Sequence, residues 1–157
     1  MIAFLGAVKS GQKEVGAPVY SHVTYDILPH REQLVRRPDI LIFEGLNVLQ
    51  ASTGAALLAS DFFDFSVYID ADEPHIEGWF LERFLNLQRT AFQAPDSYFH
   101  RYKDLPHPEA VAFAKQVWHD INLVNLKSNI LPTRERARIV LRKGAQHRVE
   151  EIWLRQM

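Results

Sequence analysis

The sequence predicts an α/β fold, because segments of strand length alternate with long segments of helical periodicity. Residues 40–43 form a continuous apolar run, and residues 65–69 repeat this form with one serine; such runs are typical of strands covered on both faces in a parallel sheet. Residues 73–91 carry a wide apolar stripe at helical spacing. This order of strands and helices indicates a sheet with helices packed against it.

The composition indicates a single domain over residues 1–157. A chain of 157 residues with 47% hydrophobic and 24% charged residues can build a core, and it contains no internal repeat or low-complexity linker. The lack of cysteine excludes disulfide scaffolds, thiolate zinc sites and thiol nucleophiles. A net charge of -1 with both signs interspersed argues against nucleic acid or an anionic membrane as a partner.

The sequence carries no signal for a membrane or for secretion. No apolar run approaches the roughly 18 residues that a membrane span needs. Lys9 interrupts the N-terminus too early for the apolar stretch of a signal peptide. We therefore expect a cytoplasmic protein.

The N-terminal part predicts a short helix followed by two strands. Helical spacing of apolar residues predicts a helix over Ile2–Lys9, and Gly11 is a plausible stop. Strands are predicted at Pro18–Tyr25 and Leu34–Arg36, with a turn at residues 28–30 between them. Their pairing is left open by the pattern.

Two amphipathic helices and two strands are predicted after residue 72. The first helix covers Glu73–Ala91, with Pro74 suited to its first turn. The second runs from Pro108 to about Leu126, and Pro132 ends that region. Two final strands and their connecting turn are predicted at Ala137–Leu141, Val149–Leu154 and residues 143–147.

Glu44 is the first candidate for chemistry. It follows the apolar run of residues 40–43, and open α/β sheets bind ligands at the carboxyl ends of their strands. Nucleotide-handling enzymes hold an acid near magnesium at this position. Taken alone, the pattern favours the simpler interpretation of a buried strand followed by a solvated carboxylate.

The glycines at positions 6 and 11 do not form a phosphate-binding loop. Such a loop needs G-x-x-x-x-G-K-[ST] between a strand and a helix, so that backbone N–H groups and the lysine surround the phosphates. Here Gln12 and Lys13 follow the second glycine, and no strand can precede residue 6. The glycine spacing is therefore coincidental.

Four longer blocks of the sequence are distinctive enough to be compared with a known family. They occur in this order: Ala17–Asp26 (APVYSHVTYD), Pro38–Gln50 (PDILIFEGLNVLQ), Pro95–His100 (PDSYFH) and Asn129–Ala137 (NILPTRERA). Together they closely resemble the C-terminal half of the bacterial type I pantothenate kinases, in the wider phosphoribulokinase and uridine kinase group. The resemblance covers essentially the whole chain.

The resemblance implies ATP-dependent phosphorylation of pantothenate to 4'-phosphopantothenate, the first step of coenzyme A biosynthesis. It implies ATP and Mg²⁺ as cofactors, coenzyme A as feedback inhibitor, a homodimer in the intact family enzyme, and neither nucleic acid nor membrane as partner. The chain would be the C-terminal, acceptor-side portion of a P-loop-kinase-like, doubly wound and mostly parallel sheet with flanking helices. The phosphate loop and the general base would lie in the other half, so we expect the isolated chain to be inactive.

The resemblance also assigns roles to residues. Arg83 would stabilise the transferring phosphoryl group, and Asn122 would hydrogen-bond pantothenate. Glu44 would lie near the metal, and Lys143 and His147 would lie beside the adenine. The acceptor pocket, with the walls that pantothenate shares with the thiol end of coenzyme A, would be lined by Tyr20, His22, Tyr25, Phe80, Phe84, Phe92, Tyr98 and Phe99.

Each role has a simpler structural alternative. His22 could be a core histidine, the tyrosines could be strand residues and the phenylalanines core residues. Arg83 could belong to a solvated helix face, although Phe84 places it beside the buried side. Two departures from the family also alter the pocket: Phe80 lacks the hydroxyl of the usual tyrosine, and Leu87 stands where many members carry an aromatic residue. The segment between Gln50 and Ser60 is shorter than in some members.

Three functions remain open from the sequence. The first is the acceptor-side half of a pantothenate kinase, active only with its other half. The second is a non-catalytic module that binds pantothenate or coenzyme A. The third is a fragment of a related nucleoside or sugar kinase, which Phe80 permits and the Tyr-Ser-His and Asn-Ile-Leu-Pro-Thr-Arg blocks around Tyr20 and Pro132 argue against.

Overall fold

The computed structural model describes residues 1–51, 54 and 57–156. Residues 52, 53, 55 and 56 of the shortened segment therefore lie outside the described residues. The helices are α1 (Ile2–Lys9), α2 (Glu73–Arg89) and α3 (His107–Val117), and the strands are β1 (Val15–Ser21), β2 (Asp26–Val35), β3 (Val67–Ala71), β4 (Ile139–Lys143) and β5 (Val149–Leu154). Within the described residues, no helix is long and apolar enough to cross a membrane.

The strands form two sheets. β1 and β2 pair as an antiparallel hairpin. β3, β4 and β5 form a three-stranded sheet in that order, with β3 parallel to β4 and β4 antiparallel to β5. Together with the flanking helices, this mixed sheet confirms the predicted α/β class.

The N-terminal helix is confirmed at its predicted bounds, but the predicted turn of the hairpin is wrong. The strands turn at residues 22–25, where Tyr25 adopts a left-handed backbone with φ of 57°. The predicted turn at residues 28–30 lies inside β2, opposite an irregularity in the register between Pro18 and Tyr20. Proline lacks a ladder hydrogen bond and is accommodated here in a bulge, which explains why its signal resembled that of a turn.

The predicted strand at residues 40–43 is also wrong, because this segment is irregular. Ile40 and Ile42 are 83% and 85% exposed. None of the strands that the structure describes pairs with the segment, so its backbone has no ladder to join. Strand β3 does form, but it begins at Val67 rather than at Phe65, because its pairing with β4 starts with Val67 opposite Ile139.

The later elements follow the sequence more closely. Helix α2 and strand β5 are confirmed, whereas β4 begins two residues later than predicted, at Ile139. The helical backbone continues beyond α3 through residues 118–130, mostly as π-helix. Pro132 then lies within a 3-10 segment, Leu131–Arg136, so the proline changes the helix type instead of ending the helical region.

Two clusters of buried side chains hold these elements together. One lies between α2 and α3 and is built on Phe84, Phe92, Ala110 and Ala114. The other lies against one face of the three-stranded sheet, and its buried members are Leu49, Tyr68, Ala137 and Val140. The opposite face of that sheet, which we call the open sheet face, carries exposed Val67, Ile69, Ile152 and Leu154.

Candidate functional site

The turn of the β1–β2 hairpin docks on the segment between α2 and α3. The backbone N–H of Tyr98 donates a hydrogen bond of 2.9 Å to the carbonyl of Val23. The ring of Tyr25 stacks on Tyr98 and meets Phe99 edge-on, with centroids 5.2 Å apart in both pairs. The left-handed backbone of Tyr25 therefore directs its ring towards a segment more than 70 residues later in the chain.

The contacts extend from this docking point in both directions. Towards the hairpin, Tyr20 contacts Tyr25 at 6.0 Å and His22 at 5.2 Å between ring centroids. Towards the helices, Phe99 stacks on Phe92 at 5.2 Å, and Phe92 meets Phe84 edge-on at 5.5 Å. Seven residues that the sequence assigned to the acceptor pocket thus form one continuous aromatic cluster: Tyr20, His22, Tyr25, Phe84, Phe92, Tyr98 and Phe99.

This aromatic cluster is open to solvent at one end and closed at the other. Tyr25 and Tyr98 are 54% and 51% exposed, whereas Phe84 and Phe92 are buried. Partial burial raises the pKa of Tyr20 above its ordinary value, and the neighbouring Tyr25 and Asp26 add to the effect. The Tyr20 phenol is therefore a neutral donor and acceptor at physiological pH.

Gln88 fixes the segment that carries the later aromatic residues. Its buried side-chain amide donates to the carbonyls of Tyr102 and Leu105 at 3.1 and 2.9 Å. Its backbone carbonyl accepts a hydrogen bond of 2.8 Å from the side chain of Gln93. Gln88 was not among the predicted site residues, although a polar residue four positions after Phe84, within the apolar stripe of a helix, was the available signal.

Phe80 packs against the buried cluster between α2 and α3, and Asn122 lies in the helical region that follows α3. The ring of Phe80 packs against buried Trp118 at 5.9 Å between centroids. Asn122 is half-buried and ends the π-helical turn that begins at Trp118. The indole N–H of Trp118 is buried and has no hydrogen-bond partner in the part of the chain that the structure describes.

Arg83 lies exposed on α2, one helical turn after Trp79 and next to buried Phe84. It forms no salt bridge with any of the described residues. A guanidinium without a carboxylate partner can offer its planar set of donors to phosphate oxygens. The position is therefore compatible with the predicted contact to a phosphoryl group.

The two residues predicted to lie beside adenine are brought together by Trp79. Its indole ring stacks on His147 with centroids 4.3 Å apart and planes 26° apart. The ammonium of Lys143 lies 4.9 Å from the centre of the same ring. The indole N–H donates a hydrogen bond of 3.0 Å to the carbonyl of Ala145, in the turn between β4 and β5.

A charged network that was not predicted from the sequence lies at the carboxyl ends of β3 and β4. The largely buried carboxylate of Asp70 is 3.1 Å from Arg134, whose guanidinium lies over the ring of Trp153. Arg142 bonds Asp72 at 2.7 Å, and this contact raises the pKa of Arg142. Because Asp72 immediately precedes α2, the network ties the start of that helix to strand β4.

Glu44 stands apart from these groups. It is exposed and lies in the irregular segment that follows residues 40–43. Within residues 1–51, 54 and 57–156, no group of three or more His, Asp or Glu side chains is arranged to hold a metal ion. Glu44 can supply one carboxylate, which suits an ion held mainly by phosphates and water.

Comparisons with known proteins identify the family. The sequence profile of the Phosphoribulokinase / Uridine kinase family matches residues 1–83. The chain is 51% identical to a pantothenate kinase of Allorhizobium ampelinum, over 100% of this chain and 49% of that protein. It is 53% identical to a pantothenate kinase of Rhodococcus jostii, over 100% of this chain and 50% of that protein.

The helices and the mixed sheet, taken with the profile match, define a kinase-type α/β protein of the P-loop class. The chain belongs to the phosphoribulokinase/uridine kinase family. A third relative, the pantothenate kinase of Actinobacillus succinogenes, is 54% identical over 99% of this chain and 49% of its own length. These alignments confirm the resemblance to bacterial pantothenate kinases, and the chain spans about half the length of the relatives that it matches.

Proposed function

We propose that this chain is the acceptor-side portion of a pantothenate kinase, a single domain over residues 1–157 that acts with the portion of the kinase carrying the phosphate loop. The observation that carries the proposal is the aromatic cluster, which joins residues from the hairpin and from the α2–α3 segment through ring contacts. The names of the aligned relatives support pantothenate as the acceptor.

The aromatic cluster suits the chemistry of pantothenate. That molecule combines a carboxylate, an amide and hydroxyl groups with an apolar gem-dimethyl group, so its site needs polar donors beside aromatic walls. The exposed end of the cluster offers the hydroxyls of Tyr20, Tyr25 and Tyr98 and the imidazole of His22. The buried end offers Phe84 and Phe92 as an apolar wall.

Arg83 and Asn122 complete the proposed acceptor side. The guanidinium of Arg83 stabilises the charge on the phosphoryl group as it passes to the primary hydroxyl of pantothenate. Asn122 hydrogen-bonds pantothenate through its side-chain amide. Phe80 stands where the family's tyrosine would add a hydroxyl, so this chain has one donor fewer than the usual pocket.

The proposed nucleotide is ATP with Mg²⁺. Lys143 and His147, which meet at Trp79, lie beside the adenine. Mg²⁺ neutralises phosphate charge when bound, and Glu44 is the carboxylate that this chain would direct towards it. Most of the phosphate contacts belong to the portion of the kinase outside the match.

Coenzyme A is the proposed feedback inhibitor. Its thiol end would use the same aromatic walls as pantothenate, namely Phe84, Phe92, Tyr98 and Phe99. The whole kinase is proposed to be a homodimer in the cytoplasm.

The test joins this chain to the half of the Rhodococcus jostii relative that lies outside the match, and we call the product the joined kinase. With ATP, Mg²⁺ and pantothenate, the joined kinase should form 4'-phosphopantothenate, and the isolated chain should form none above background. Turnover by the isolated chain that survives repurification would contradict the proposal. A joined kinase that phosphorylates a nucleoside or sugar in preference to pantothenate would move the proposal to a related acceptor.

A binding role is the second candidate, because all seven members of the aromatic cluster lie within this chain and contact one another. Calorimetry on the isolated chain tests it. Saturable binding of pantothenate or coenzyme A without ATP, with an inactive joined kinase, would favour a binding module over a kinase portion.

A further inference from the structure

Trp79 makes three separate contacts with one turn. Its indole N–H bonds the carbonyl of Ala145 at 3.0 Å, its ring stacks on His147, and the ammonium of Lys143 lies over the same ring. The residue is half-buried, and its polar atom is directed at the turn. These contacts use the hydrogen-bonding group and the ring of the indole together, as a tryptophan does when it fixes a neighbouring segment.

His147 needs such support because its backbone is unfavourable. Its φ of 62° is in the left-handed region, which costs free energy for a residue with a β-carbon. The turn is closed by two backbone hydrogen bonds of 3.0 Å, from the N–H of His147 to Gly144 and from the N–H of Gly144 to Arg148. The indole of Trp79 supplies the tertiary contact that keeps the imidazole in one orientation.

The arrangement leaves one face of the imidazole covered and the other accessible. The indole covers the first face at 4.3 Å, and the His147 side chain is exposed. A planar base could therefore stack on the second face and extend an indole–imidazole pair that is already ordered. Preorganisation of this kind removes the cost of ordering a loop when a ligand binds.

Trp79 also connects this turn to the proposed phosphoryl contact. It precedes Arg83 by four positions on α2, so the two side chains lie on the same face of the helix. The ion pair between Arg142 and Asp72 holds the start of α2 against β4. Arg142 immediately precedes Lys143 in the chain. Helix α2 is thus fixed to the β4–β5 hairpin at its start and again at Trp79.

We infer that Trp79 is a positioning residue for the adenine base: it holds His147 and Lys143 in place so that the base stacks on the exposed face of the imidazole. This inference rests on the proposed function, because it takes ATP as the nucleotide. Trp79 itself does not touch the nucleotide. Its effect should therefore appear in the affinity for the base and not in the affinity for phosphates or for the acceptor.

The experiment measures ATP binding to the joined kinase by calorimetry. Trp79→Leu should raise the Kd for ATP about tenfold, because the stacked partner and the donor are both lost. Trp79→Phe should raise it by a smaller factor of about three, because the ring remains and the N–H is lost. Trp153→Phe, which changes a tryptophan of strand β5 away from the turn, should leave ATP binding unchanged.

Two further ligands separate positioning from general damage. Inorganic tripolyphosphate lacks the base, so its Ki as a competitor of ATP should be the same in Trp79→Leu and wild type. The KM for pantothenate should change less than twofold. Parallel weakening of ATP, tripolyphosphate and pantothenate would overturn the inference, as would an unchanged Kd for ATP.

The inference can also be tested if a variant does not fold or if the joined kinase is inactive. Where Trp79→Leu does not fold, Trp79→Phe alone tests the inference, and an unchanged Kd for ATP in that variant overturns it. A wild-type joined kinase that binds no ATP overturns it as well. A joined kinase that binds ATP but leaves pantothenate unphosphorylated contradicts the proposed acceptor, and the comparison of Trp79 variants still tests the positioning role.

Discussion

The region around α2 and α3 is packed against other parts of the chain, whereas the open sheet face is exposed to solvent. Around α2, buried Phe84 packs against Phe113 of α3, and buried Phe92 is covered by Phe99 of the α2–α3 segment. On the open sheet face, Ile69 and Ile152 lie in one row across three paired strands, and both are 64% exposed. The proposed acceptor pocket thus belongs to the part of the molecule that already has its packing partners.

The exposure of the open sheet face agrees with the fact that the chain spans only about half the length of its relatives. The aligned pantothenate kinases have about twice the length of the match. We expect the rest of such a kinase to cover the open sheet face and to supply a strand beside the irregular residues 40–43, because apolar strands with bare edges are stable mainly when paired or covered.

The largest expected difference is in stability. Phe92→Ala should lower the free energy of unfolding of the chain by about 3–5 kcal/mol, because it leaves a cavity in the aromatic cluster. Ile69→Ala should lower it by about 0.5 kcal/mol or less, since that side chain is largely in solvent. Urea unfolding followed by circular dichroism measures both, and equal losses would show that the two regions are packed alike.

The second prediction concerns catalysis by the joined kinase. Arg83→Ala should lower kcat and kcat/KM together by about 10² or more, as expected when a contact made in the transition state is lost. Lysine should restore little, because a point charge does not reproduce the planar guanidinium. Arg89→Ala, at the last turn of the same helix, is the matched control. If Arg83→Ala were as active as that control, Arg83 would be a surface residue without a catalytic role.

The prediction of structure from sequence succeeded where the signal was local. Helix α1 was predicted at its observed bounds, and so was β5, because spacing and turn residues within a few positions define both. The prediction of a strand at residues 40–43 was wrong for the opposite reason. Their apolar run indicates burial between neighbouring strands, and such neighbours are not a property of the segment itself.

The candidate site could be predicted only through the resemblance. The contact between Tyr25 and Tyr98 joins residues more than 70 positions apart, and no periodicity encodes such a contact. Gln88 and Trp79 were missed because their roles depend on carbonyl groups in other segments. A buried polar atom needs a hydrogen-bond partner, and that partner can lie anywhere in the chain. The sequence therefore indicates that a partner is required but not which residue supplies it.

The third prediction tests the acceptor pocket through Asn122. Asn122→Ala in the joined kinase should raise the KM for pantothenate about tenfold, or about 1.4 kcal/mol, with kcat nearly unchanged. The reason is that the proposed hydrogen bond is made equally in the ground state and in the transition state. Initial-rate kinetics at saturating ATP measure it, and Asn125→Ala in the following helical turn serves as control. A fall in kcat with unchanged KM would argue against a binding role.

The fourth prediction addresses the open sheet face directly. Apolar rows on an exposed sheet favour association between copies, so the isolated chain should self-associate at micromolar concentration. The double change Ile69→Lys and Ile152→Lys should weaken this association by about tenfold or more in sedimentation experiments, since it places like charges in one row. If the wild-type chain sediments as a monomer at all accessible concentrations, the face is not an adhesive surface.

The smallest expected effect is a change in the pH dependence of stability, which tests the covered face of the same sheet through Tyr68. Burial raises the pKa of Tyr68, and the nearby Asp70 adds to this while Arg134 opposes it. A tyrosine whose pKa is higher in the folded state contributes stability that is complete below the unfolded pKa of about 10 and is lost as pH rises through the folded value. The free energy of unfolding should therefore decline above pH 10 more steeply in the wild type than in Tyr68→Phe, by at most about 1.4 kcal/mol per pH unit. Tyr25→Phe changes an exposed tyrosine outside this sheet and should keep the wild-type slope. Identical alkaline slopes in wild type and Tyr68→Phe would mean that the phenol reaches solvent, and the contrast between the covered and open faces would then be smaller than the packing around Tyr68 indicates.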